Sequence, residues 1–174
     1  DTQVVGDALS AMVSYLDDNP AVGVLGPQLR FPDGQAQSSR RRFPTLATSF
    51  FESTWLQPIA PRSVLRRYYA LDRPDDAISE VDWVVGACLM VRSDAICQAG
   101  LLDPGYFMYS EEMEWQRRIK QAGWQVVYYP AALVIHHEGK SSEQAVVQRH
   151  INFQRSKLRY FGQYHGRAAA VALR

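Results

Sequence analysis

Val81-Asp82-Trp83-Val84-Val85-Gly86-Ala87-Cys88-Leu89-Met90-Val91-Arg92 opens the part of the sequence that decides the fold. Behind it come Gly100-Leu101-Leu102-Asp103, Phe107-Met108-Tyr109-Ser110-Glu111-Glu112 and Ala122-Gly123-Trp124. Val134-Ile135-His136-His137-Glu138-Gly139-Lys140-Ser141 closes the series. In order, these read as a small-residue strand, an acidic helix start, a helix-ending glycine and a histidine at a strand end. Together they offer a base, a metal ligand and a tight backbone approach, the parts of a catalytic site.

Working outward, Trp83–Val91 is expected as one strand, followed by a short helix that Ser93 caps and Gly100 ends. Ser110 is expected to cap a helix over 111–122 that stops at Gly123. Two strands should come next, Gln125–Tyr129 and Ala132–His136, separated by Pro130. Ser141 with Gln144 forms a capping box that opens a long helix to about Phe161, and Gly162 and Gly166 interrupt the chain beyond it. Toward the N-terminus, Leu9, Met12, Val13 and Leu16 keep helical spacing within 6–18. Asn19-Pro20 ends that helix, and Val22–Gly26 continues as a buried strand. Residues 35–80 are rich in Ser, Arg, Pro and Asp and are expected as an irregular or mobile segment. The pattern is α/β, one domain over 1–174, with a helical extension over 141–174.

The chain has 174 residues, 47% of them hydrophobic, which fits a packed domain. A net charge of +1 speaks against a dedicated nucleic-acid binder. Cys88 and Cys97 lack metal-ligand spacing and read as two buried thiols in a reducing cytoplasm. No apolar run approaches the ~18 residues that span a bilayer. The polar opening at Asp1, without a Met, suggests a piece of a longer chain with no signal peptide.

Three carboxylates crowd the helix start. Acidic residues there favour the helix dipole, which is the plain explanation for all of them. Glu114 precedes Arg118 by four and is expected in a solvated ion pair. Glu112 instead shares a stripe with Trp115, Ile119 and Ala122. A carboxylate facing inward is costly unless partnered or employed, and partial burial raises its pKa toward that of a general base.

At His136-His137 adjacent residues point to opposite faces, so only one can serve a given site; a structural histidine is the alternative. Gly86 marks either a ligand's close approach or a tightly packed helix. Arg40-Arg41-Arg42 resembles a mobile, solvated basic loop. Arg149, Arg155, Lys157 and Arg159 give the last helix a basic face beside Val147, Ile151, Leu158 and Phe161. That face suits anionic lipid headgroups or a pyrophosphate-linked acceptor, or is simply wet while the apolar side packs.

The chain resembles the C-terminal half of a family 2 glycosyltransferase, most nearly the bacterial rhamnosyltransferase-like branch that builds cell-surface polysaccharide. The likeness rests on five motifs in order, at Trp83–Ala87, Gly100–Asp103, Tyr109–Glu112, Ala122–Trp124 and Val134–Ser141. It implies the acceptor-side half of a GT-A fold, with a mixed sheet and flanking helices. It further implies an inverting transfer from a nucleotide-diphospho-sugar donor to a saccharide or lipid-linked acceptor, with a divalent metal, Mg²⁺ or Mn²⁺. The resemblance places the base at Glu112, with Glu111 orienting the acceptor. It puts His136 and Asp1 at the metal and Trp83, Gly86, Ala87, Tyr109 and Arg92 against substrate, Gly86 and Ala87 forming the donor-sugar wall. It implies a cytoplasmic location with peripheral contact at the inner face of the plasma membrane. On this reading the nucleotide-binding half precedes residue 1, and the fragment alone is inactive. The rivals are a carbohydrate- or lipid-binding module that kept the fold without turnover, and a nucleic-acid binder using Arg40–Arg42.

Overall fold

The computed structural model describes residues 1–52, 56–137 and 146–174. Its centre is a twelve-residue strand, β8 (Gln125–His136), flanked on one side by β2 (Val22–Arg30) in parallel. On its other side β8 pairs antiparallel with β1 (Thr2–Val5) near its end and with β5 (Ser79–Val81) near its start. The far edge of β2 carries β3 (Ala36–Gln37) and β7 (Met90–Val91), both antiparallel, completing a six-stranded mixed sheet. A separate pair joins β4 (Arg40–Arg41) to β6 (Trp83–Val84).

Helices cover both faces. On one, α1 (Ala8–Asp18) buries Ala8, Met12 and Leu16 against Val22, Leu25 and Val127. On the other, α4 (Ser93–Ala99) and α5 (Glu111–Gln121) pack Ala95, Trp115 and Ile119 on Val24, Val84 and Val126. A third cluster, Tyr68, Trp83, Tyr106, Met113, Tyr160 and Phe161, joins α3 (Arg62–Tyr68) and α5 to the last long helix, α6 (Val146–His165). Between β4 and α3 lies α2 (Leu46–Glu52), and α7 (Arg167–Ala172) folds back after Gly166. Among the described residues no helix is long and apolar enough to cross a membrane.

Several expectations need correction. Leu9 and Val13 are exposed, because the inward stripe of α1 is 8, 12 and 16. Segment 35–80 carries α2, α3 and three short strands; its helices are only seven residues each, too brief for periodicity to reveal. The expected strand 83–91 breaks after Val84 and resumes at Met90, leaving Gly86 and Ala87 in a turn. Conversely, Pro130 does not end a strand. The β2–β8 register jumps between Pro27/Tyr129 and Gln28/Leu133, and this irregularity takes up the proline. Neither Ser93 nor Ser110 caps its helix through its side chain. The last helix runs through Gly162 and ends at His165; the capping box at Ser141 lies outside the described residues.

The thiols and cations also differ. Both cysteines are free, but Cys97 is exposed, whereas half-buried Cys88 has its thiol pKa pushed up by burial. Arg40 is 3% exposed, not solvated. Its guanidinium donates to Arg73 O and Pro74 O, each at 2.6 Å, pairs with Asp75 at 2.7 Å and stacks over Tyr128.

Candidate active site

A cleft of about 830 Å³ opens between the 85–87 turn, the start of α5, the ends of β1 and β8, and one face of α6. Asp1, Trp83, Gly86, Ala87, Tyr109, Glu111, Glu112 and His136, eight of the nine proposed site residues, line it.

Glu112 stands in the first turn of α5, facing Gly86. Gly86 N–H lies 3.4 Å from Oε1, while Oε2 is buried with no hydrogen-bond partner among the described residues. A methyl at Gly86 would meet Glu112 Cγ at 3.2 Å and Cβ at 3.3 Å, so glycine lets helix and turn approach this closely. The helix-packing reading of Gly86 is therefore correct, and the same packing brings Glu112 to the cleft. Burial, then the charge of neighbouring Glu111, pushes the Glu112 pKa from 4.5 up to about 7; hydrogen bonds from backbone N–H groups oppose the shift. Oε2 of Glu111 is likewise buried and unpartnered. Two carboxylate oxygens at the cleft wall thus meet no donor among the described residues, a costly arrangement unless something arrives to use them.

The backbone leading into this helix is strained. Tyr109 and Ser110 adopt consecutive left-handed conformations, with φ of 69° and 66°. Such conformations cost about 1–3 kcal/mol each for non-glycine residues and persist only where surroundings hold them. Here Ser156 Oγ donates to Met108 O at 2.8 Å, and the Tyr109 ring meets Phe153 edge-on, with ring centres 6.0 Å apart.

Glu114 is 1% exposed, contrary to the solvated pair expected of it. Arg118 Nε contacts both its oxygens, at 2.9 and 3.0 Å, and Tyr164 Oη donates to it at 2.7 Å. This pair ties α5 to α6 and, through Arg118, to the carbonyls of Ala99 and Leu101.

At the other end of the cleft, His136 Nδ1 lies 2.8 Å from Gln37 Oε1. With that oxygen as acceptor, the ring proton sits on Nδ1, leaving Nε2 free for coordination 3.8 Å from Asp1 Oδ1. His137 does not line the cleft, and its backbone N–H donates to Asp1 O at 2.8 Å. Two protein ligands fit an ion that takes its other positions from water or phosphate oxygens. Among the described residues, no group of three His, Cys, Asp or Glu side chains assembles for a metal.

Arg92 lies outside the cleft. Its guanidinium donates to the carbonyls of Leu16, Asn19 and Val22, closing the C-terminal end of α1. It is a structural arginine. Of the basic face expected on this helix, Arg155 and Arg159 border a separate hollow, while Arg149 and Lys157, with Phe153 between them one turn from each, line the cleft. Their i, i+4, i+8 spacing was the available signal.

Residues 1–151 match a family model described as glycosyltransferase like family 2. The chain is 35% identical over 142 residues to an N-acetylglucosaminyl-diphospho-decaprenol L-rhamnosyltransferase of Mycobacterium tuberculosis, covering 82% of this chain and 46% of that protein. It is 32% identical over 83 residues to the rhamnosyltransferase WbbL of Escherichia coli K12, covering 46% of this chain and 30% of the relative. The chain thus spans about half the length of the mycobacterial relative.

Proposed function

The chain belongs to the glycosyltransferase like family 2, and on that premise we propose that it carries the acceptor-side half of an inverting glycosyltransferase. Glu112 is the general base. Its carboxylate takes the proton of an acceptor hydroxyl as that oxygen bonds to the anomeric carbon of a nucleotide-diphospho-sugar. The carbon–phosphate oxygen bond breaks, and the nucleoside diphosphate leaves with the electron pair. The supporting observation is Glu112 in the cleft wall, its Oε2 without a partner among the described residues, in a group whose pKa, pushed up to about 7, suits proton transfer near neutrality.

Glu111 orients the acceptor hydroxyl, while Trp83, Gly86, Ala87 and Tyr109 bound the space for the sugars. Asp1 and His136 would hold a divalent ion, Mg²⁺ or Mn²⁺, whose chemistry is to neutralise charge on a departing diphosphate. The acceptor is a saccharide or a lipid-linked saccharide used in cell-surface polysaccharide; the lipid-linked form is in keeping with the diphospho-decaprenol in the mycobacterial relative's name. Work on such an acceptor fits a cytoplasmic protein in peripheral contact with the membrane's inner face.

The test is Glu112→Gln in the full chain. kcat falls by about two orders of magnitude or more, the scale of general-base loss, while donor affinity measured by calorimetry is unchanged. Near-wild-type turnover would remove Glu112 from the mechanism.

A further inference from the structure

We infer that loop 101–108 and the adjoining outer row of α6 form a docking face for an anionic lipid surface. The inference rests on the peripheral contact proposed above and names the residues that make it. It does not depend on the base or the metal site.

Loop 101–108 joins α4 to α5 and holds four large apolar side chains in the open. Leu101 and Phe107 are 77% and 83% exposed, and Leu102 and Met108 are exposed as well. A single exposed apolar residue is ordinary, but four within eight positions form a patch of the kind that marks a contact. The backbone fixes them there. Trp115 Nε1 donates to Gly100 O at 2.7 Å, Arg118 to Leu101 O at 2.8 Å and Ser156 Oγ to Met108 O at 2.8 Å. Between these points Asp103 accepts from Gly105 N–H and pairs with Arg159, both at 2.8 Å, and Tyr106 is buried. Turning the apolar side chains inward would break these bonds.

Beside the loop, exposed Val147, Ile151, Arg155 and Arg159 recur every fourth residue and form one inclined row, about 18 Å along α6. Arg155, Arg159 and Phe107 border the same hollow, which makes loop and row one surface. Arg159 is taken by Asp103, so Arg155 supplies the charge of the row. Its surroundings reinforce it. The whole chain balances 19 Lys and Arg against 18 Asp and Glu, yet residues 146–174 hold six of the cations and none of the acids. Apolar side chains held out beside arginines match the boundary of an anionic bilayer. Rings and aliphatic groups enter the acyl edge there, while guanidiniums stay with lipid phosphates. Met108 also lines the cleft, so docking by this face sets the cleft mouth at headgroup level, where a lipid-linked acceptor presents its saccharide.

Flotation of the full chain with lipid vesicles tests the face. Vesicles of phosphatidylcholine mixed equally with phosphatidylglycerol should carry the protein, and vesicles of phosphatidylcholine alone far less of it. Phe107→Ser should weaken binding to the anionic vesicles about tenfold, the scale of withdrawing one Phe side chain from an apolar medium. Arg155→Gln should weaken it about fivefold and lessen its dependence on salt. Ile59→Ser, comparably exposed on a separate segment, should float as wild type does. Phe107→Ser should keep the wild-type melting temperature; if it does not, Leu101→Ser takes its place in the comparison. Equal flotation of wild type and both loop and Arg155 variants overturns the inference, as does equal binding to neutral and anionic vesicles. Absent vesicle binding, with a concentration-dependent dimer that Phe107→Ser abolishes, would assign the face to a second copy of the chain and equally overturn it. Glu112→Gln should float as wild type does, so failure of the transfer mechanism and failure of this face are separable.

Discussion

Gln116 and Val84 exchange two hydrogen bonds. Val84 N–H donates to Oε1 and Nε2 donates to Val84 O, both at 2.8 Å, in a wholly buried setting. One side chain thereby completes the backbone pairing of β6 and fastens α5 to it. Glu112 lies one helical turn before Gln116, and Gly86 two residues after Val84, so this clamp sets their spacing. Gln116→Ala leaves both backbone groups unpaired and should cost about 2–4 kcal/mol in chemical denaturation. A loss below about 0.5 kcal/mol would show that the clamp is dispensable.

Glu112 should impose a pH signature on stability. It ionises near 4.5 in the unfolded chain and at about 7 when folded, so between those values unfolding releases a proton. Its contribution to stability therefore falls as pH rises through that window and is constant above it. Glu112→Gln removes the penalty: the variant should melt higher than wild type at about pH 8, with the difference vanishing near pH 4. In the full chain, wild-type kcat/KM should rise with pH around a midpoint of about 7.

Breaking the Glu114–Arg118 pair should be severe. Arg118→Met strands a buried carboxylate that Tyr164 and Gln163 only partly satisfy. A loss on the order of 3 kcal/mol is expected, read from the urea midpoint. An effect no larger than that of an exposed ion pair would mean water reaches Glu114.

Gln37 is expected to tune His136. Mn²⁺ titration should show the largest loss in His136→Ala and a roughly 10- to 100-fold loss in Gln37→Ala, which frees the ring to turn. His137→Ala should bind metal as wild type does. Equal losses at His136 and His137 would contradict the assignment of the ligand to the cleft face.

Much of this was legible locally. Helical spacing alone singled out Glu112, because Trp115 and Ile119 on its stripe are truly buried. The strand at Val22, the helices of 93–99 and 111–121 and the strand that reaches His136 likewise emerged from short apolar runs and their glycine stops. The features that escaped depended on partners distant in sequence. Arg40 reads as surface until Tyr128 and Asp75 arrive, and Glu114 reads as solvated until Tyr164, fifty residues on, closes over it. Arg92 ends a motif strand, but its partners lie seventy or more residues earlier, on carbonyls that no pattern announces. The left-handed pair Tyr109–Ser110 was equally silent, since neither residue is a glycine.

The unequal thiols offer an experimental address. Cys97 stands exposed on α4, away from the cleft, whereas Cys88 is half-buried with a reluctant proton, two residues from Gly86. Alkylating agents react with thiolates, so a maleimide at neutral pH should mark Cys97 first. A dye there leaves the cleft unobstructed. Slow labelling at Cys88, read by mass spectrometry with and without a nucleotide-diphospho-sugar, would then report whether a filled cleft tightens the turn beside Glu112.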